Sequence, residues 1–244
     1  MIASLFGPLK VEVDGVCLGP DDFHGAKPRQ LLEILLVQRG RALTKDRLCE
    51  LLWEESLPNN PKATLENYVS ILRRQLDPGI IATVSGGYRI VSDRVDLDLD
   101  HFDGLFARGS VDGYRGALRL VRGDVLEGEP AGWARRIRER YRQRHLDALL
   151  ELAWAALQES DADTAEVLAE EALQLDLAAE RAYAVLMLAA YARDRYSKAL
   201  RLANACREAM ALEFGADPSP WFEQLHRSLL EGVDSAAVLA AATG

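Results

Sequence analysis

The sequence of 244 residues has few cysteines, few aromatic residues and no long apolar run. Its three cysteines, Cys17, Cys49 and Cys206, are far apart and have no CxxC spacing, which excludes a zinc pattern and a disulfide framework. We therefore expect reduced, semi-buried packing cysteines and no metal. The longest apolar stretch, residues 182–192, is well short of the roughly 20 residues that span a bilayer. This predicts a protein without a membrane partner.

Targeting and catalytic motifs are also missing. The first eight residues lack the basic region and the apolar stretch of a secretory signal, which predicts a cytoplasmic protein. The sequence contains no HExxH, no GxSxG and no GxxxxGK[ST], and its four histidines are scattered. We predict that the protein is not an enzyme and has no cofactor, and we expect neither a receiver domain nor an ATPase segment.

An excess of positive charge, the usual mark of a nucleic-acid-binding protein, is absent as well. The net charge is −9. Residues 1–95 contain 12 basic and 12 acidic residues, whereas residues 96–244 contain 17 basic and 26 acidic residues. The acidity therefore lies in the second part, and the neutral first part can bind DNA only where its cations converge on one face.

The pattern of residues 1–95 is that of a winged helix-turn-helix domain. Apolar residues at even spacing before residue 14 indicate strands, and a helical pattern follows Pro28 and stops at Gly40. Thr44 is a good N-cap for a second helix. A third helix is predicted at residues 62–76, and residues 81–91 read as two strands joined by a glycine turn.

The third helix has an apolar stripe formed by Leu65, Val69 and Leu72, which must face a core. Its opposite side combines small residues with residues that hydrogen-bond to base edges, as a recognition helix requires. An ordinary solvated helix face explains the same pattern equally well. The residues of this side are Ala63, Asn67, Ser70 and Arg74, with Ile71 at the edge and Lys62 and Arg73 on one flank.

Residues 96–244 are predicted to be helical, after a junction at residues 95–100 that reads as a linker. Residues 160–165 resemble residues 194–199, and Ala165, Leu168 and Ala169 recur 34 residues later. A period of 34 is that of tetratricopeptide helical pairs, which stack and form a docking surface for a partner.

Six arginines lie between Trp133 and His145. A helical wheel places Arg135, Arg138 and Arg142 together on the outer side, where they would contact DNA or polymerase. A solubilising helix face paired with Glu139 and Asp147 is the simpler alternative.

The order of these motifs resembles the SARP family, the antibiotic regulatory proteins of actinobacteria. In that family an OmpR-type winged helix precedes a bacterial transcriptional activation domain built on tetratricopeptide-like helices. In the first domain the matching segments are FGPLKV at 6–11, KPRQLL at 27–32, TKDRL at 44–48 with LW at 52–53, ATLENYVSILRRQL at 63–76 and GGYR at 86–89. In the second they are VDL at 95–97 with Phe102, AL at 172–173 through ER at 180–181, LMLAAY at 186–191 and EFGADPSP at 213–220.

The resemblance implies a mainly α protein with a small β component: a winged helix-turn-helix domain at 1–95 and an all-α tetratricopeptide-like activation domain at 96–244. It implies a sequence-specific activator of a biosynthetic gene cluster, which binds direct repeats in double-stranded DNA as a homodimer and recruits RNA polymerase holoenzyme. Carried over by position, the DNA-binding residues are Lys45, Arg47, Lys62, Asn67, Ser70, Arg73, Arg74 and Arg89. Asn67 and Arg74 would read bases, and Lys45 and Arg47 would contact phosphate.

Three features depart from the family pattern. Ile71 replaces a residue that is commonly basic, Glu66 adds an acid to the recognition helix, and the first domain has no net positive charge. They favour an alternative function, a tetratricopeptide-like adaptor whose winged helix no longer binds DNA strongly.

Overall fold

A computed structural model describes residues 1–54 and 56–232, which form two compact units. The first unit contains Met1–Gly104 and Arg119–Tyr141. The second contains Leu105–Leu118 and the described residues from Arg142 onward.

The described residues up to 97, all in the first unit, form two small sheets and three α-helices. In chain order the elements are β1 (Ile2–Ser4), β2 (Lys10–Val13), β3 (Val16–Leu18), α1 (Ala26–Val37), β4 (Leu43–Thr44), α2 (Lys45–Leu52), α3 (Pro61–Gln75), β5 (Ile81–Val84), β6 (Gly87–Ile90) and β7 (Asp96–Leu97). The strands β1, β2, β3 and β7 form one sheet in the order β3-β2-β1-β7, and the other three strands form a sheet in the order β4-β6-β5.

Local signals explain where these helices begin. The Thr44 hydroxyl accepts a hydrogen bond from the Arg47 amide at 3.2 Å, and this N-cap starts α2 as predicted. Asn60 caps α3 through the Ala63 amide at 3.3 Å, with Pro61 at the first helical position. The predicted wing is the antiparallel pair β5–β6. The predicted winged helix-turn-helix fold is thereby confirmed.

The junction at residues 95–100 is not a linker, and that prediction is wrong. The strand β7 pairs in parallel with β1, and residues 98–106 continue as helix α4 (Asp98–Phe106). The Asp98 carboxylate accepts hydrogen bonds from the Leu5 and Phe6 amides at 2.8 and 3.0 Å. Burial raises the pKa of Asp98 although these bonds oppose the rise. Asp98 thus anchors the junction to the backbone that follows β1.

Residues 119–141 also belong to the first unit, although they follow the predicted boundary at residue 95. The rings of Phe6, Phe102 and Tyr141 pack together, with centroids 5.1 to 5.7 Å apart. The Leu126 amide donates to the Leu5 carbonyl at 2.8 Å. The compact first unit is therefore assembled from two separate stretches of sequence, while the functional domains at 1–95 and 96–244 stay a prediction.

The remaining helices are α5 (Val111–Leu118), α6 (Gly132–Gln158), α7 (Ala162–Leu175), α8 (Glu180–Tyr191), α9 (Tyr196–Phe214) and α10 (Pro220–Leu230). The helices α4 and α6 contribute residues to both units.

The 34-residue repeat is visible in the backbone of the second unit. Ser160 and Asp194, 34 positions apart, end their helices with φ of 61° and 57°. The following amide in each case donates to a carbonyl five residues back, Asp161 to Ala156 at 2.8 Å and Arg195 to Ala190 at 2.9 Å. The same helix end thus recurs in both helical pairs, and the predicted tetratricopeptide-like fold is confirmed.

The three cysteines differ in burial, which their spacing in the sequence does not predict. Cys49 and Cys206 are buried, whereas Cys17 is exposed on the edge strand β3, so the expectation of semi-buried packing does not hold for it. Burial raises the pKa of Cys206 to about 12 and keeps this thiol protonated.

Candidate nucleic-acid interface

The helix α3 has one buried and one exposed side. Leu65, Val69 and Leu72 are at most 1% exposed and hold the helix on the core of the first unit. Asn67, Ser70 and Arg74 are exposed on the other side. The side chains that the sequence analysis predicts to contact bases are therefore exposed to solvent. Their role in base contact stays a prediction.

The exposed residues of α3 differ in whether their side chains already have partners within the protein. The Ser70 hydroxyl donates to the Glu66 carbonyl at 2.9 Å, so it is partly engaged by its own helix. Arg74 lines a shallow groove of about 470 Å³ together with His24, Ile71 and Gln75. Ile71 is half-buried in this groove and lies beside Arg74. Within residues 1–54 and 56–232 the Arg74 guanidinium has no ion-pair partner, and it is the most available cation of this helix.

Arg73 is held by the wing. Its guanidinium donates two hydrogen bonds to the Ile81 carbonyl, at 3.0 and 2.7 Å, and one to the Thr83 hydroxyl at 2.8 Å. It also lies 5.9 Å from the centre of the Tyr88 ring. These contacts fix the position of β5 and β6 relative to α3, which is the geometry of a positioning residue. Its predicted DNA contact remains a prediction.

The cations around the start of α2 are neutralised by nearby acids. Lys45 pairs with Glu66 at 2.6 Å, and Lys62 pairs with Asp46 at 2.7 Å. The hydrogen bond to Glu66 raises the pKa of Lys45. Such exposed pairs are weak and are screened by salt, so phosphate groups can displace the carboxylates. The two pairs join the first turn of α2 to α3.

The two positions of the wing turn require glycine for different physical reasons. Gly86 has φ of +79°, a left-handed conformation that glycine adopts without strain. A Cβ atom at Gly87 would lie 1.8 Å from the Leu43 carbonyl oxygen, because β4 packs directly against β6 there. Arg89 lies on β6 opposite Ala82 and is half-buried, so it belongs to the strand rather than to the tip of the wing.

The arginine-rich part of α6 does not present its arginines as one outer group. The half-buried Arg138 donates hydrogen bonds to the carbonyls of Val125, Leu126 and Glu129, at 3.2, 3.0 and 2.8 Å. The wheel placed Arg138 outward because it registers only its own helix, whereas the loop before α6 folds back over this side. Arg135 is exposed in the first unit, and the exposed Arg142 belongs to the second unit.

A pair of buried carboxyl groups was not anticipated from the sequence. Glu33 and Glu129 are 3% and 2% exposed. Arg29 lies 3.4 Å from Glu33 and 3.3 Å from Glu129, and the Gln30 amide donates to Glu129 at 2.8 Å. Burial, followed by the Glu129 charge, raises the pKa of Glu33 to about 7 although Arg29 opposes this. No local pattern links two residues that are almost a hundred positions apart.

The described residues offer no candidate for two other kinds of site. In the described part of the chain, no three histidine, cysteine, aspartate or glutamate residues are grouped in a way that could hold a metal ion. None of the described helices is both long and apolar enough to cross a membrane.

The fold and this surface define a winged-helix regulator with a tetratricopeptide-like second unit. Residues 103–230 match the family model described as bacterial transcriptional activator domain. Residues 24–90 match the model described as transcriptional regulatory protein, C terminal. The chain belongs to the SARP family of transcriptional regulators.

Individual relatives agree with this assignment. The chain is 30% identical to the regulatory protein AfsR of Streptomyces coelicolor over 98% of its own length and 25% of that protein. It is 26% identical to the regulatory protein DnrI of Streptomyces peucetius over 96% of its own length and 94% of that protein. The chain thus spans about a quarter of the length of AfsR and nearly all of DnrI.

One solved structure has a similar fold. This structure is of Mycobacterium tuberculosis EmbR in complex with a low-affinity phosphopeptide. It matches 99% of this chain and 69% of its own chain, with a TM-score of 0.84 and 26% sequence identity.

Proposed function

We propose that this protein is a sequence-specific DNA-binding transcription activator that reads base pairs with the exposed side of α3. The observation that carries the proposal is the exposure of Asn67 and Arg74 opposite the buried stripe of Leu65, Val69 and Leu72. Asparagine pairs bidentately with adenine and arginine with guanine in the major groove. The side chains needed for base readout are therefore on the accessible side of the helix.

The remaining residues of the interface have supporting roles in this proposal. Arg47 pairs with Glu50 at 2.7 Å. Lys45, Arg47 and Lys62 exchange their carboxylate partners for phosphate groups, which fixes the register of the protein on the duplex. Arg73, which also holds β5 and β6, and Arg89 on β6 contact DNA beside the wing, and Ser70 contacts the groove from α3. The proposal further includes binding to direct repeats as a homodimer, recruitment of RNA polymerase holoenzyme through the second unit, control of a biosynthetic gene cluster, and action in the cytoplasm without a cofactor or catalytic activity.

A selection experiment tests this function. Duplexes enriched by the protein from a random library are expected to share a motif that recurs in direct orientation. Arg74→Ala is expected to lower affinity for the selected duplex by about 1–3 kcal/mol and to relax the preference at one base position. The exposed Arg119→Ala in the same unit is the matched control. Equal affinity of the folded Arg74→Ala variant contradicts the assignment of Arg74, and failure of the wild type to enrich any motif contradicts sequence-specific binding.

A second candidate function is a tetratricopeptide-like adaptor that does not bind DNA strongly. The observation that favours it is the neutralisation of Lys45, Arg47 and Lys62 by acids of the same surface. An adaptor is expected to bind DNA weakly and to associate with its protein partner equally well after Arg74→Ala. The same selection experiment therefore separates the two functions.

A further inference from the structure

An open cleft of about 800 Å³ lies within the first unit. Its walls come from α1, α2 and the first turns of α6, and they include the buried Ile34 and the half-buried Leu51 and Ile137. Three exposed arginines, Arg41, Arg47 and Arg136, also line the cleft. Because the apolar residues are less accessible than the arginines, the guanidinium groups form the solvent-facing rim.

The rim carries an excess of positive charge. Arg47 is paired with Glu50 at 2.7 Å. The Glu54 carboxylate, which also lines the cleft, accepts a hydrogen bond from the Gly132 amide at 3.3 Å. Among the described residues, Arg41 and Arg136 have no ion-pair partner. These two guanidinium groups are available to an anion that approaches the cleft.

The cleft is connected to the recognition helix. Arg47 is in the first turn of α2, and this turn is joined to α3 by the Lys45–Glu66 and Lys62–Asp46 pairs. In helix-turn-helix proteins the helix before the recognition helix crosses the DNA backbone. A duplex read by α3 therefore passes the side of α2 where Arg47 begins the rim.

We propose that Arg41 and Arg136 bind phosphate groups of the duplex next to the segment that α3 reads. This inference rests on the proposed function and extends the DNA contact to the start of α6. The guanidinium group presents a planar fork of donors that matches a phosphate bidentately. The Arg47 end of the rim is joined to α3 by the two ion pairs, which favours the backbone of a duplex held by α3 over an acidic protein segment.

The experiment measures DNA affinity of the full chain between 50 and 200 mM salt on the selected duplex and on a scrambled one. Arg41→Gln and Arg136→Gln are each expected to reduce the slope of log affinity against log salt by up to about 0.9, because one fewer counterion is released. At 0.1 M salt each variant is expected to bind up to roughly eightfold more weakly, equally on both duplexes. Arg136→Lys keeps the charge and is expected to keep the slope, and the exposed Arg119→Gln outside the cleft is the control.

The outcomes separate this inference from the function on which it rests. If the wild type binds the selected duplex and both glutamine variants keep its slope, the phosphate contact is overturned while DNA binding stands. If in addition these variants lose affinity for purified RNA polymerase holoenzyme, the cleft binds an acidic protein surface instead. If the wild type binds neither duplex, both proposals are overturned. Thermal melting of each variant confirms that the fold is kept.

Discussion

The core of the first unit is built from large side chains, whereas the core of the second unit is rich in alanine. Fully buried residues of the first unit include Phe23, Leu31, Leu32 and Phe102. Those of the second unit include Ala165, Ala169, Ala182, Ala184 and Ala203. Alanine lets helices approach closely, so the repeat packs backbone near backbone. The first unit is accordingly sensitive to lost volume and the second to added volume.

The two units also shift the pKa values of particular carboxyl groups in opposite directions. In the first unit Glu33 is buried beside a second carboxyl group, and burial raises its pKa to about 7. In the second unit a hydrogen bond from Lys198 lowers the pKa of Glu166, and hydrogen bonds from Arg207 lower the pKa of Glu223. Ionisation is therefore unfavourable at the first site and favourable at the other two, and the units should respond to pH in opposite directions.

The largest expected effect is the loss of core volume in the first unit. Phe102→Ala removes a fully buried ring that packs on Phe6 and Tyr141, and it should lower the free energy of unfolding by about 3–5 kcal/mol. Hydrogen exchange of first-unit amides across a urea titration measures this loss. Phe214→Ala, at a residue that is 63% exposed in the second unit, should change stability by less than about 0.5 kcal/mol. Equal effects of the two changes would contradict the comparison.

The next effect is the pH dependence of the first unit. Since the folded pKa of Glu33 is above its ordinary value of 4.5, the folded state holds this proton longer than the unfolded state. Stability is therefore lost as pH rises from about 4.5 to about 7, by up to about 3 kcal/mol. Glu33→Gln should remove this loss and stabilise the protein above pH 7. Urea titrations at pH 4.5, 6 and 8 measure the difference from wild type.

The stability of the second unit should change with pH in the opposite direction. The lowered pKa values of Glu166 and Glu223 contribute stability that is present above about pH 4.5 and is lost as pH falls through the folded pKa values. Glu223→Gln therefore destabilises the protein at neutral pH and loses its effect in acid. The exposed Glu139→Gln is the control for both carboxyl variants. A Glu33→Gln variant that is less stable than wild type at pH 8 would invalidate the contrast.

A smaller effect is expected from added volume in the second unit. Ala203→Leu places three extra carbon atoms at a fully buried position of α9, which should cost about 1–3 kcal/mol. Ala211→Leu makes the same change at an exposed position of the same helix and should be nearly neutral. Thermal melting of the two variants checks this difference. Tolerance of leucine at position 203 would show that the repeat does not depend on small residues.

The smallest effect on stability concerns Ile71. Ile71→Arg should change the free energy of unfolding by less than about 0.5 kcal/mol, because Ile71 lines an open groove. The added cation should steepen the slope of log DNA affinity against log salt by up to about 0.9. Ile71→Gln, which is polar but uncharged, should leave that slope unchanged. Earlier melting of Ile71→Arg, or loss of a protein partner, without stronger DNA binding would instead indicate that Ile71 packs against the second domain or against that partner.

Much of the winged helix was predictable because its signals are local. The Thr44 cap, the proline at the start of α3 and the glycine turn of the wing each act within a few residues. The apolar stripe of α3 was also predictable, because apolar residues recur in consecutive turns with the helical period of 3.6 residues. The engagement of Arg73 by the Ile81 carbonyl was not, since a helical wheel carries no information about a neighbouring strand.

The sequence alone determined the winged helix-turn-helix fold, the helical repeat of 34 residues and the identity of the outward residues of α3, because these depend on caps, turns and periodicity between near neighbours. Only the tertiary structure decided that residues 119–141 join the first unit and that Arg138 is bonded to backbone carbonyls. It also decided that Glu129 is buried beside Glu33. The physical reason is the same in each case: these contacts depend on how a loop returns to distant parts of the chain, and no local preference encodes that path.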